Sequence, residues 1–223
     1  MRKTTEKSKN TRTEIYKSAI LLFQTHGYEE TTMRMIAKDA GVSLGLAYYH
    51  FKSKDDIVFH FYELVQKDSE EESKKFCESN RDFRDRIRHI FKYKIQQFIP
   101  HANFLHILAR LSGDPKSPLS PFSVESTDLR NKEIQSFKYA MENTNQKFPD
   151  ELSEIIPDLF WLLELAVIYY CLYDKSKNKE KTILVLDYTL LFTFQFLRLA
   201  RLPVLNPIRK SLLLIYNKIK FNN

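Results

Sequence analysis

With 223 residues, 43% of them apolar, 28% charged and only 4 glycines, the chain has ample material for a core and little for tight turns. An average protein of this length carries roughly 15 glycines. Glycine supplies the turns of all-β folds and the backbone of phosphate-cradling loops, so both are disfavoured; 17 Phe and 12 Tyr argue against global disorder. The net charge of +7 is uneven: residues 1–54 carry ten Lys/Arg against five Asp/Glu, 55–197 nineteen against twenty-three, and 198–223 six against none. A basic front and tail around a mildly acidic middle suit a polyanionic partner at one end.

Residues 1–10 lack apolar periodicity and are expected to form a basic flexible arm (Arg2, Lys3, Lys7, Lys9, with Arg12 just beyond). A first helix is predicted from Thr11 or Thr13 to His26, with Thr11 and Glu14 at capping-box spacing and Ile15, Ala19, Leu22 and Phe23 on one face. Gly27 suits the positive-φ position after its end. A short helix follows from Thr32 to Ala40, with Met33, Ile36 and Ala37 facing inward. Gly41 ends it, and Ser43 caps a third helix running through Tyr49. Ser53 and Asp56 repeat the capping spacing and open a long helix to about Cys77.

Further helices are predicted near Asp82–Ile99, Asn103–Leu111, Val124–Gln146, Pro157–Asp174, Glu180–Leu202 and Pro207–Lys220, with Ser112–Pro121 as a proline-rich loop. The expected fold class is all-α. Cys77 and Cys171 fit no metal or redox spacing and are expected as free buried thiols. No metal and no cofactor is expected: HExxH and CxxC are missing, and His101 and His106 do not share a helical face well. The N-terminus has no apolar core of a secretory signal. The longest apolar run, Leu159–Tyr173, is 15 residues with Glu164 inside it, short of the roughly 20 that span a bilayer. A buried helix in a cytoplasmic protein, with no stable membrane association, is the expectation.

The stretch Thr32–Phe51 has the makings of a helix-turn-helix. Two short helices meet at Gly41, Ala37 is small where the second must cross the first, and Val42 can anchor the turn. Residues 11–58 resemble the DNA-binding domain of the TetR (tetracycline-repressor) family of bacterial transcription regulators. The likeness rests on Ala19…Leu22-Phe23…His26-Gly27-Tyr28, on Thr32…Ile36-Ala37…Ala40-Gly41-Val42-Ser43, and on Tyr48-Tyr49-His50-Phe51…Ser53-Lys54. Tyr173-Asp174-Lys175-Ser176 is similar to some members further on.

The resemblance implies a DNA-binding domain over 11–54 and an effector-binding and dimerisation domain over 55–223. It implies that Thr32 and Arg34 meet phosphates, that Ser43, Leu44, Gly45 and Leu46 face base edges, and that Tyr48 touches bases or sugar-phosphate. Tyr49, His50 and Lys54 would grip phosphates. Leu46 stands where many members have Thr, and Ala47 where many have a core Leu, so discrimination should lean on thymine methyls and DNA shape. A homodimer through the helices near 157–174 and 180–202 is implied, bound to a palindromic double-stranded operator and released by a small effector. Phe91, Phe98, Phe104, Phe137 and Phe160 are candidate lining residues, and a near absence of buried charge would favour a hydrophobic ligand.

Two other readings exist. Gly41-Val42-Ser43-Leu44-Gly45 spells G-x-S-x-G, the serine-hydrolase nucleophile elbow, which needs a strand before Ser43. Ile208, Leu212, Ile215 and Ile219, interleaved with Arg209, Lys210, Lys218 and Lys220, form a basic amphipathic helix able to dock on a membrane surface; packing on its own domain is the expectation.

Overall fold

The computed structural model describes residues 2–219, with side chains for 8–101 and 104–218. Among the described residues it is all-α: α1 (Arg2–His26), α2 (Met33–Asp39), α3 (Leu44–His50), α4 (Lys54–Ser79), α5 (Phe83–Phe98), α6 (Ala102–Ser112), α7 (Thr127–Met141), α8 (Asp150–Tyr173), α9 (Glu180–Leu199) and α10 (Asn206–Ile219). The chain divides into two units. Residues up to 64 and 101–123 form the first; 65–100 and 124 onward form the second. Helix α4 runs unbroken across the boundary expected at residue 54.

Local chemistry explains most helix ends. Thr32, Ser43 and Asp82 each accept a hydrogen bond from the backbone N–H three residues on, at 3.2, 3.2 and 3.0 Å. Ser53 Oγ accepts from Asp56 N–H while the Asp56 carboxylate accepts from Lys52 N–H, opening α4. Two starts differ most from expectation. The backbone of Arg2–Asn10, expected as an arm, continues α1; this stretch has no Gly or Pro and is rich in good helix formers. Thr13 donates back to the Lys9 carbonyl at 3.0 Å in mid-helix. The side chains of Arg2, Lys3 and Lys7 lie outside the described residues. Helix α8 begins at Asp150, leaving Pro157 inside it. The proline forgoes one backbone bond, while the added turns bury Leu152, Ile155 and Ile156.

In the first unit, Ile15, Ala19 and Phe23 of α1 are fully buried together with Ile36 of α2, Ala47 of α3 and Ile57 of α4. Phe104 of α6 stacks on Phe23 (5.8 Å) and meets Phe61 edge-on (5.2 Å). Phe104 is therefore core of this unit, a correction to its expected place in an effector pocket.

The second unit is built on α5, α7, α8 and α9. Phe91, Phe137 and Phe160 meet at ring distances of 5.8–6.4 Å, and Phe98 is buried at the end of α5. A groove of about 460 Å³ is lined by Phe76, Arg88, His89, Lys92 and Tyr93 among others, and by none of the five phenylalanines above. Cys77 and Cys171 are buried free thiols, and burial pushes both upward in pKa. The expected near absence of buried charge is overturned: Arg86, Lys94, Arg130 and Glu164 are all buried. Such charges survive in a core only when paired or hydrogen-bonded. Arg86 donates to the carbonyls of Cys77, Asn80 and Ala140, tying the end of α4 and α7 to α5.

Helices α8 and α9 keep one face each outside the unit. Leu159, Leu162, Tyr169 and Tyr173 recur along α8, and Leu184, Tyr188, Phe192, Phe196 and Leu199 along α9; Phe192 is 71% exposed. At 24 residues α8 is long and apolar enough to cross a membrane, as is Lys177–Leu199. The exclusion based on a 15-residue run no longer holds on length. What remains against it is composition: α8 carries buried Glu164, ion-paired to Lys94 at 3.3 Å. Helix α10 packs through Arg209, which donates to the carbonyls of Ala200 and Leu202. The helix packs on α8 of its own unit, as expected, with Arg209 Nε 3.8 Å from the Glu151 carboxylate, while the apolar Ile208, Leu212 and Ile215 face outward and stay exposed; Ile219 and Lys220 lie outside the described side chains.

Candidate nucleic-acid interface

The turn between α2 and α3 is held entirely by local bonds. Val42 N–H donates to the Ala37 carbonyl (2.9 Å) and Gly41 N–H to the Lys38 carbonyl (3.2 Å), with Gly41 at φ +65°. This is a Schellman closure, and the positive φ is what requires glycine there. Gly27, at φ +88°, closes α1 in the same sense, its N–H donating to the Phe23 carbonyl at 3.2 Å. Val42 is half-buried. Ala47 at 0% exposure seats α3 on the first unit. Its small side chain is the close-packing element where a larger Leu was the resembled pattern.

Seating Ala47 turns the other side of α3 outward. Gly45, Leu46 (39%), Tyr48 (47%) and Tyr49 (79%) are exposed, with Leu44 half-buried at the helix start. Ser43 is exposed, and its Oγ accepts from Leu46 N–H. As the N-cap of α3 preceded by a helix and turn, Ser43 does not sit on the strand-to-helix elbow that a hydrolase needs. Thr32 and Arg34 are exposed on the first turn of α2, so the helix N-terminus and a guanidinium are both open to an anion.

Not every sequence-predicted phosphate contact has a side chain ready for it. Lys54 Nζ donates to the Tyr28 carbonyl at 2.6 Å and to that of Glu29 at 3.4 Å, and lies 4.4 Å from the Tyr28 ring centre. It fastens α4 to the loop after α1, where Tyr28 also donates to Asp55. His50 stacks edge-on to Tyr49 at 5.2 Å. Partial burial and the nearby Arg12 lower its pKa, so at neutral pH it offers a neutral N–H rather than a cation.

Arg12 has a structural role that its place beside the basic arm did not suggest. The Arg12 guanidinium lies 5.0 Å from the Phe51 ring centre and 3.5 Å from His60 Nδ1. It thereby ties α1 to the residue that ends α3 and to α4. The sequence treated Arg12 as an adjunct of a mobile arm; a cation one turn before a buried face was the available signal.

Comparison with known proteins agrees with this geometry. Residues 15–61 match the family described as "Bacterial regulatory proteins, tetR family", and residues 86–212 match "Tetracyclin repressor-like, C-terminal domain". The chain is 40% identical over 65 residues to the HTH-type transcriptional regulator AcrR of Shigella flexneri, a match spanning 29% of this chain and only 30% of that regulator. Among solved structures, the fatty acid degradation regulator FadR of Bacillus halodurans superposes with a TM-score of 0.63 at 14% identity, covering 81% of this chain and 94% of that one. The FadR of Bacillus subtilis in complex with stearoyl-CoA gives 0.61 at 12% identity, covering 80% and 95%. At such identities the structures speak for the fold. The second of the two family matches takes in more than half of the chain, and the chain accordingly belongs to the tetR family of bacterial regulatory proteins.

Proposed function

We propose that the protein is a cytoplasmic, homodimeric transcription repressor that binds a palindromic operator and leaves it when a small molecule occupies the second unit. The observation that carries this is the α2–turn–α3 element: α2 closes on Gly41 at φ +65°, and α3 after the turn carries Ser43, Leu44, Gly45, Leu46, Tyr48 and Tyr49 on its outer side. A short helix presented this way enters a major groove. Thr32, Arg34, Tyr49 and His50 then meet the backbone, with Lys54 holding the framework instead. Base reading falls largely to apolar contacts, because Leu44, Gly45 and Leu46 offer no side-chain hydrogen bonds.

The exposed strips of α8 and α9 supply the dimer. Leu159, Leu162, Tyr169 and Tyr173 follow helical spacing, as do Leu184, Tyr188, Phe192 and Leu199. Such contiguous apolar surface marks an interface. Two-fold pairing sets two recognition helices about 34–36 Å apart or a multiple of it. A ligand that binds one arrangement better shifts the population of DNA-competent dimers.

A second reading attaches to α10 alone, whose exposed Ile208, Leu212 and Ile215 are accompanied by Lys210 and Lys218; this strip fits an anionic lipid surface. Co-sedimentation with vesicles containing anionic lipid tests it, and retention in the supernatant at low salt removes it.

The main proposal is tested by selecting genomic fragments with the purified protein and repeating the selection with candidate effectors. The expected result is an enriched palindrome that one compound releases. Failure to find any salt-sensitive, sequence-dependent binding overturns it.

A further inference from the structure

The corner where α1, the end of α3 and the start of α4 meet carries an exposed cation that the interface described above leaves unused. The Arg12 guanidinium lies 5.0 Å from the ring centre of Phe51, the buried residue that caps α3. Its Nη2 stands 3.5 Å from His60 Nδ1 of α4. Tyr16, one turn further along α1, meets the same His60 ring edge-on at 5.4 Å, and Phe51 meets it at 5.5 Å. A long arginine side chain ordinarily loses much rotamer freedom when it binds. Here a ring and an imidazole already hold the planar fork in place.

This cation is held without a counter-ion. Among the described residues Arg12 forms no ion pair with a carboxylate: Glu63 faces His60 Nδ1 at 3.4 Å, and Glu14, two residues on, pairs with Lys17 at 3.0 Å. A guanidinium has five N–H donors, so most of its hydrogen-bonding capacity is open. Of the residues expected to grip phosphates at this end of α3, Lys54 is engaged by the carbonyls of Tyr28 and Glu29, and His50 is neutral at neutral pH. Lys52, exposed one residue past Phe51, adds positive charge to the corner. We propose that Arg12 is a phosphodiester clamp at the end of α3, gripping the operator backbone beside the groove that α3 enters. This deepens the operator-binding reading above and rests on it.

The dimensions favour a backbone contact. Helix α3 has seven residues, about 10 Å at 1.5 Å each. The major groove is about 12 Å wide, so a helix this short brings both its ends near the phosphate-lined walls. Arg12 stands at the C-terminal end, beside His50, whose pKa its charge helps to lower. A guanidinium matches two phosphate oxygens at once, which an ammonium cannot do. Such a contact carries no sequence information. Arg12 therefore adds affinity to every duplex alike, and discrimination stays with α3.

The test measures binding of the full chain to a duplex holding the palindrome enriched by selection and to a scrambled duplex of the same length. Salt is varied at about pH 8, where histidines are neutral. Each phosphate contact contributes about 0.9 to the slope of log affinity against log salt. Arg12→Gln is expected to lower the slope by about that amount per protomer and to weaken both duplexes equally, roughly eightfold per protomer at about 0.1 M salt. Lys17→Gln removes a charge from another face of the same helix and is expected to leave the slope unchanged. Methylphosphonate at single positions then identifies the partner: one substitution weakens the native protein and no longer weakens Arg12→Gln. If Arg12→Gln does not fold, Arg12→Lys takes its place, and the same phosphate is expected to matter less to it than to the native protein. An unchanged slope, an equal loss of slope in Lys17→Gln, or a methylphosphonate penalty kept in full overturns the proposal and leaves Arg12 as a brace between α1 and α3. Equal affinity for the two duplexes with the Arg12 slope present counts against the operator reading and not against the clamp, while native binding that ignores salt overturns both.

Discussion

Asp174 offers the sharpest test of how the second unit is held together. Its side chain ends α8 and is buried at 5% exposure. One carboxylate oxygen accepts from Ser176 N–H (2.8 Å) and Ser176 Oγ–H (2.6 Å), the other from Thr182 N–H (2.8 Å) and Thr182 Oγ–H (2.7 Å). The α8–α9 connection is thus wrapped around a single anion. Hydrogen bonds to a charged group contribute about 1.5–3 kcal/mol each and do not add fully. Asp174→Ala also strands the buried Thr182 donors, so a loss of about 3–5 kcal/mol is expected, near the cost of breaking a buried ion pair. For a chain of this size that corresponds to a fall in Tm of roughly 6–20 °C, read by circular dichroism.

The pH dependence has a definite sign. Burial alone would raise the Asp174 pKa, but the bonds from Ser176 and Thr182 outweigh it and hold the carboxyl well below the usual carboxylate range. Between the folded and unfolded values the unfolded chain binds more protons, so stability rises with pH there. The contribution is complete above the unfolded value of about 3.9 and is lost as pH falls through the folded one. The gap between the native protein and Asp174→Ala should stay constant from neutral to mildly acidic pH and narrow below about pH 4. A cost under about 1 kcal/mol, or a gap that does not narrow in acid, would refute the reasoning.

Gly41 and Gly45 make a contrasting pair, since a Cβ at either meets nothing within 4 Å but only Gly41 has a positive φ. Gly41→Ala should lower stability by about 1–2 kcal/mol. Gly45→Ala should leave stability equal or raise it by up to about 1 kcal/mol, yet weaken operator binding at least roughly tenfold where the backbone approaches DNA closely; unchanged affinity would place α3 elsewhere. Leu44→Ala should alter base preference at one or two operator positions in a binding-site selection, and an identical profile at every position argues against apolar readout. Phe192→Asp on the exposed face of α9 should give monomers in light scattering and cost operator affinity; a persistent dimer would move the interface off α9.

Much of the DNA-binding unit was legible because its signals are local. Thr32, Ser43 and Ser53 each bond a backbone N–H three residues away, and the turn closes through Gly41 N–H on the carbonyl three residues back and Val42 N–H on the one five residues back. Such contacts depend on spacing alone, so the residues that carry them announce the helices they bound. Ala47 and Phe51 lie inward by the same periodicity. The exposure of Tyr48 and Tyr49 follows from seating those two.

Contacts between distant segments carried no such signature. Lys54 looked like a phosphate ligand until the loop at Tyr28 and Glu29 offered it two carbonyls. Phe104 resembles the other core phenylalanines in sequence and differs only in packing on Phe23 and Phe61. Pro157 is a good helix start by itself, and the long apolar face of α8 outweighed its missing donor. Lys94, Glu133 and Glu164 are ordinary charged residues on three separate helices, and a periodicity reading counts them as surface. The all-α fold, the helix-turn-helix and the outward face of α3 were determined by the sequence itself, because capping, positive φ and helical period act within a few residues. Which charges would be buried together, and which apolar strips would stay uncovered on α8, α9 and α10, was decided only when segments many residues apart packed, because desolvation and ion pairing depend on neighbours that the chain order does not name.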